Sequence, residues 1–142
     1  MGRNPELRRA LTAANYVYIS GHMDKMDAID AIKALSALAQ ESRLEAFRLL
    51  VRGGPEGVAA GEIARTLEIP HNTMSSHLAV LSNAGLATAR RRGRSILYAA
   101  DLDRVRGLLA FLLEDCCRGK PDVCAPLLAR ALPGCCGEEG RS

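Results

Sequence analysis

Tryptophan is absent from this 142-residue chain, and aromatic residues make up only 4% of it. Any core must therefore be filled by leucine, isoleucine, valine and alanine. No apolar run approaches the roughly 20 residues of a membrane-spanning helix. The first residues lack the apolar centre of a secretory signal. Thiols are missing from everything up to Asp115, and all five cysteines fall behind it, at Cys116, Cys117, Cys124, Cys135 and Cys136. There is no Cys-x-x-Cys and no phosphate-cradling glycine loop, so the usual signatures of a dithiol reductase or a nucleotide-dependent enzyme are missing. Charge of one sign is not in great excess either. A formal net charge of +3 names no partner by itself, and the distribution of charge has to decide.

What is present suits one folded domain with modest tails. Apolar residues are 48% of the chain, enough for a real core. The chain reads as cytosolic, where thiols stay reduced and clustered cysteines bind metals more often than they form structural disulfides.

Residues 1–23 read as an N-terminal extension. Gly21-His22-Met23 looks like a tag junction or an upstream start, with the working chain beginning near Met23. The alternative is a genuine helix, with Leu7, Ala10, Leu11 and Ala14 on one face, packed on a partner subunit. From Asp24 to Ala39, Ile29, Ile32, Leu35 and Leu38 recur at helical spacing. Ser42 to Val51 repeats the pattern until Arg52-Gly53-Gly54-Pro55 stops it. A short helix is expected over Ala60 to Leu67, a turn at Glu68-Ile69-Pro70, and a second helix from about Asn72 to Asn83, with Met74, Leu78 and Leu81 inward. Leu86 to Ala89 and Ser95 to Ala99 read as strands joined by a basic loop with Gly93 at its tip. Asp101 to Asp115 is a last strong helix, striped by Leu102, Val105, Leu108, Leu109 and Leu112. Residues 116–142 form a cysteine-rich tail, with a helical turn or two over Pro126 to Leu132.

The fold class is therefore mainly α with a small β-hairpin wing, a winged helix-turn-helix. Such a module places the first residues of its second helix at base edges. Here these are His71, Asn72, Thr73, Ser75, Ser76 and His77, compact hydrogen-bonding groups suited to bases and phosphates. The wing carries Arg90, Arg91, Arg92 and Arg94, whose guanidinium groups would neutralise phosphate and release counterions. One such arginine would also suit a narrow minor groove. Alone, four arginines on a hairpin are an ordinary solvated loop. Joined in this order to a helix-turn-helix, they point to double-stranded DNA.

The run Leu35 to Ala99 resembles the ArsR/SmtB family of small bacterial repressors. The resemblance rests on Ala39-Gln40-Glu41-Ser42-Arg43-Leu44, Gly61-Glu62-Ile63-Ala64, Ser75-Ser76-His77-Leu78-Ala79-Val80-Leu81, Gly85-Leu86 and Gly93-Arg94-Ser95-Ile96-Leu97-Tyr98. It implies a homodimer in which the first and last long helices pack across the two-fold axis. It also implies a non-enzymatic repressor of operator DNA.

Family members differ in where the inducing ion binds. One arsenic-sensing version has cysteines at the start of the first reading-motif helix, where this chain has Val58-Ala59-Ala60-Gly61. Zinc-sensing members use histidine and carboxylates on the last helix, which here offers Asp101, Asp103, Glu114 and Asp115 but no histidine. Cys116, Cys117 and Cys124 resemble a third, arsenic-responsive branch, with two adjacent cysteines and one after a short loop where the last helix ends. That resemblance implies As(III) or Sb(III) as inducer. Thiolates are soft donors and select soft ions. Adjacent Cα atoms lie about 3.8 Å apart, closer than the roughly 4.4–6.8 Å of a disulfide, so Cys116 and Cys117 suit a shared ion better than a mutual bridge. Zinc, cadmium or lead in a four-ligand site, or thiol redox chemistry through Cys124, remain as alternatives. A thiol reductase or a metal-delivery protein is a more remote one. Cys135 and Cys136 are an accessory pair, a second site or merely tail residues.

Overall fold

The computed structural model describes residues 25–114, 125–126 and 129–131. Helix α1 spans Ala28–Leu38. The Asp27 carboxylate accepts the Asp30 N–H at 2.7 Å, satisfying one of the first-turn donors that have no partner inside a helix. This cap sets the start a turn later than the Asp24 expected from periodicity. Ala31, Ala34 and Ala37 face the core, whereas Ile29 and Ile32 are 66% and 63% exposed. The large-residue stripe of α1 thus points away from its own domain.

Helix α2 (Glu41–Gly53) starts at Gln40, whose side chain accepts the Arg43 N–H at 2.8 Å. Arg43 turns back, donating from Nε to the Ala37 carbonyl at 2.6 Å and from Nη2 to the Ser36 carbonyl at 3.3 Å. The Gln40 to Arg43 stretch is therefore a double cap, closing the end of α1 and the start of α2. The helix runs through Arg52 and Gly53, past the expected stop at Val51.

A two-residue strand, β1 (Val58–Ala59), comes next, then α3 (Ala60–Thr66) and α4 (His71–Asn83). The first motif helix starts at Ala60 as expected, but no strand was expected at Val58 and Ala59 ahead of it. These two residues pair with the wing, because apolar Val58 gains burial against a sheet edge. Strands β2 (Ala87–Arg92) and β3 (Ser95–Ala100) complete an antiparallel sheet in the order β1-β3-β2. The register sets Val58 opposite Tyr98, and Ala89 opposite Tyr98 on the other side.

The wing differs from the expected loop. Arg90, Arg91 and Arg92 lie within β2, and Arg92 pairs with Ser95, so only Gly93 and Arg94 form the turn. Gly93 has φ +61° and Arg94 does not share that sign, the pattern of a two-residue type II′ hairpin, whose twist matches its strands. Helix α5 (Leu102–Leu113) follows. Asp101 caps it by accepting the Arg104 N–H at 3.0 Å, and donates its own N–H to the Leu86 carbonyl at 2.9 Å.

The chain divides after Phe111 into two compact units. In the first, Leu50, Ile63, Met74, Leu78, Leu81 and Leu86 are the largest fully buried side chains, and no described polar or charged residue is buried. Met26, ahead of α1, joins this core. In the second, residues 125–126 and 129–131 are helical, starting one residue ahead of the expected Pro126 to Leu132 region.

Candidate nucleic-acid interface

The reading surface follows from how α3 and α4 are joined. The Leu67 N–H donates to the Ile63 carbonyl and the Ile69 N–H to the Ala64 carbonyl, each at 3.0 Å. Glu68 takes a left-handed φ of +54° to make the turn. Met74, Leu78 and Leu81 then lock α4 into the core with no exposure at all. A 3.6-residue period turns the intervening positions outward. His71, Asn72, Thr73, Ser75 and Ser76 are exposed, and His77 is half-buried. Two of these groups also brace the helix: the Asn72 side chain accepts the Thr73 N–H at 2.9 Å, and the Ser76 hydroxyl donates to the Asn72 carbonyl at 3.3 Å. No acidic residue lies in α4, so nothing on it repels phosphate.

Arg90, Arg91, Arg92 and Arg94 are all exposed. Strand alternation places Arg90 and Arg92 on the face of Leu97 and Ser95, and Arg91 on the face of Ile96. Arg90 also donates from Nη2 to the Glu56 carbonyl at 3.0 Å, tying the wing to the loop before β1.

Arg65 escaped the sequence reading. Its Nη1 lies 3.8 Å, and the His71 Cδ2 3.9 Å, from the point a Cβ on Gly61 would occupy. A second exposed cation therefore stands beside the start of α4. The period of α3 carries the signal, since Ile63 and Ala64 are buried and position 65 must face out.

Over residues 38–90 the chain matches the family model described as a helix-turn-helix domain. NolR from Sinorhizobium fredii is 26% identical, over 80% of this chain and 94% of that one, with a TM-score of 0.53. The homodimeric winged helix-turn-helix DNA-binding domain of a possible ArsR-family transcriptional regulator from Mycobacterium bovis is also 26% identical, over 72% and 94%, with a TM-score of 0.51. The chain has a winged helix-turn-helix fold, similar to that of ArsR-type regulators. An ArsR-like transcriptional regulator from Rhodococcus sp. RHA1, 23% identical over 72% of this chain and 92% of that one, shares the fold with a TM-score of 0.54. No curated protein matches the chain.

In this chain helices α1 and α5 carry apolar residues that stay exposed. Ile29, Ile32 and Leu35 on α1 and Leu102, Leu109 and Leu112 on α5 are all exposed. The carboxylates of α5 are occupied locally. Asp101 serves as cap, and Asp103 pairs with Arg106 at 2.9 Å. Among the described residues no group of histidine, cysteine and carboxylate could hold a metal ion. Cys116, Cys117, Cys124, Cys135 and Cys136, and Asp115 before them, lie outside the described residues.

Proposed function

We propose that the chain is a homodimeric, DNA-binding transcriptional repressor. It leaves its operator when trivalent arsenic or antimony is held by Cys116, Cys117 and Cys124. The observation that carries the DNA reading is the outward face of α4, polar and free of acid, set beside a hairpin with four exposed arginines. Buried Met74, Leu78 and Leu81 hold that face rigid, as base reading requires. The arginines supply affinity that does not depend on sequence. The exposed apolar faces of α1 and α5 support the dimer, because a two-fold assembly buries the same patch of both copies.

The ion reading rests on the donor set and on position. Three thiolates fit a soft ion, and Cys116 follows closely on α5, which ends at Leu113. The same helix offers apolar residues to the second copy, so capture at its end biases how the two copies meet. Two reading helices that no longer match half-sites one helical turn apart lose the operator. A coupling of about 1–3 kcal/mol between ion and DNA changes occupancy many-fold.

The test is fluorescence anisotropy on operator fragments, with arsenite, antimonite, zinc and cadmium titrated against the preformed complex in mild reductant. Release by arsenite or antimonite that disappears in Cys116→Ser is the expected result. Release by zinc or cadmium alone would move the assignment to a four-ligand metal site. Release that survives serine at all three cysteines would remove the site, and no DNA binding under any condition would remove the repressor.

A further inference from the structure

Arg104, in the first turn of α5, joins three elements that the DNA reading treats separately. Its Nη2 pairs with Asp30 Oδ2 on α1 at 3.1 Å, the two side chains being 22% and 36% exposed. Its stem and Nε lie over Gly85, just past the end of α4. A Cβ there would stand 2.9 Å from Nε and 3.4 Å from Cδ. Gly85 has φ +78°, a conformation that favours glycine, so backbone shape and the space needed by Arg104 both demand the missing side chain. The adjoining residues are bonded across the same junction, Asp101 N–H to the Leu86 carbonyl at 2.9 Å.

The Arg104 Nε is buried and has no hydrogen-bond partner, and the Ser82 hydroxyl in the last turn of α4 shares that condition. Leaving a buried donor unpaired is costly, and a guanidinium cannot escape by losing its proton. The Asp30 pair thus comes with an unpaired Nε, and hydrogen bonding alone does not explain why an arginine stands here. Its placement does. One rigid group fixes the exit of α4, and with it the start of β2 at Ala87, to the two helices whose apolar faces look outward.

We propose that Arg104 is a positioning residue, and that the Asp30–Arg104–Gly85 junction sets the angle of α4 against α1 and α5. Preference for an operator then depends on the junction, whereas nonspecific grip does not. Phosphate contacts by wing arginines tolerate small changes of helix angle, and contacts with base edges do not. Arg104 is already paired with Asp30 and its side chain is only 22% exposed, so its role is within the domain. This inference rests on the DNA reading.

The experiment first selects a preferred duplex from a random pool with the unaltered full chain. Affinities for that duplex and for a scrambled one are then measured by anisotropy across a salt series. Arg104→Met and Asp30→Asn are each expected to lower the ratio of selected to scrambled affinity about tenfold. The scrambled affinity and its salt slope stay as they were. Arg104→Lys, which keeps the charge and can reach Asp30, recovers part of the ratio. Should Arg104→Met fail to fold, as read by its circular dichroism melt, Asp30→Asn carries the test. An unchanged ratio in Asp30→Asn would overturn the inference while leaving the DNA reading intact. So would an equal loss on both duplexes with a shallower salt slope, which would make Arg104 a direct phosphate contact. Failure of the unaltered chain to enrich any duplex would overturn the DNA reading and this inference with it.

Discussion

Helices α1 and α4 are of similar length, 11 and 13 residues, and both are amphipathic, yet they face their domain in opposite senses. Helix α4 turns its large residues inward and small polar ones outward. Helix α1 turns alanines inward and isoleucines outward. Periodicity announces that a helix has two faces, and it does not say which one its own domain buries. In α4 the outward face is mainly polar, Val80 apart, so the answer is forced. In α1 both faces are apolar. The slim alanine face lets the helix lie close against α2 and α4, and the bulky face is left for another surface. On the proposed function, the contrast separates a face that meets water and DNA from one that meets a second copy.

The sharpest way to break this comparison is to make the outer face of α1 polar. Ile29→Ser with Ile32→Ser removes four isoleucines per dimer. Each is about two-thirds exposed in the single copy, so its burial in a dimer is worth about 1–2 kcal/mol and the association weakens by about 4–8 kcal/mol. Sedimentation velocity should show monomers where the unaltered chain gives dimers, with helical content retained. A variant that still sediments as a dimer would place the interface elsewhere. The inner face of α4 gives the next largest effect. Leu78→Ala, at a site with no exposure, should cost about 3 kcal/mol through lost transfer energy and a residual cavity, read as a lower thermal midpoint. Equal melting of Leu78→Ala and the unaltered chain would mean that α4 is not anchored as described.

Much of the fold was legible because its signals are local. The Met74, Leu78, Leu81 spacing and the Gly93 tip are decided within a few residues, and both stand where the sequence put them. Features that depend on a distant partner were not legible. Val58 and Ala59 form a strand only because β3 offers an edge. Arg90 to Arg92 extend the hairpin because the ladder continues opposite Ser95 to Leu97, where composition alone suggested a loop. Met26 joins the core from outside any helix. Of the DNA-facing set, the residues of α4 followed from helical phase. Arg65 was passed over because a lone arginine on a seven-residue helix carries no pattern of its own. For the proposed thiol site, spacing alone favours a soft ion without excluding zinc or redox chemistry, because the choice depends on where the sulfurs stand in space.

Gly85 offers a smaller effect at the seam between the two kinds of face. Gly85→Ala should destabilise the domain by about 1–2 kcal/mol, since its φ of +78° strains any residue with a side chain and the new methyl presses on Arg104. Chemical denaturation measures it. Gly93→Ala is the control, because its φ is also positive while nothing lies within 4 Å of an added Cβ. The difference between the two variants isolates the crowding from the backbone strain. Equal costs would show that Arg104 gives way freely and that the junction is soft.

The smallest effect divides the DNA-facing surface itself. Arg91→Gln removes one exposed cation from the wing without touching the core or the Arg90 tie to Glu56. If Arg91 meets a phosphate, affinity for every duplex falls alike and the log–log salt slope loses about one unit. Asn72→Ala on α4 should do the reverse. It leaves the slope in place and flattens discrimination at one base position, by about 1–3 kcal/mol for a lost bidentate contact. Its own bond to the Thr73 N–H can be replaced by water at an exposed helix start, so stability hardly changes. A salt slope that moved with Asn72 and not with Arg91 would exchange the roles of helix and wing. The polar face of α4 would then be the phosphate grip, and the arginine hairpin, with Arg91 beside Ile96 on one face, the part that enters a groove.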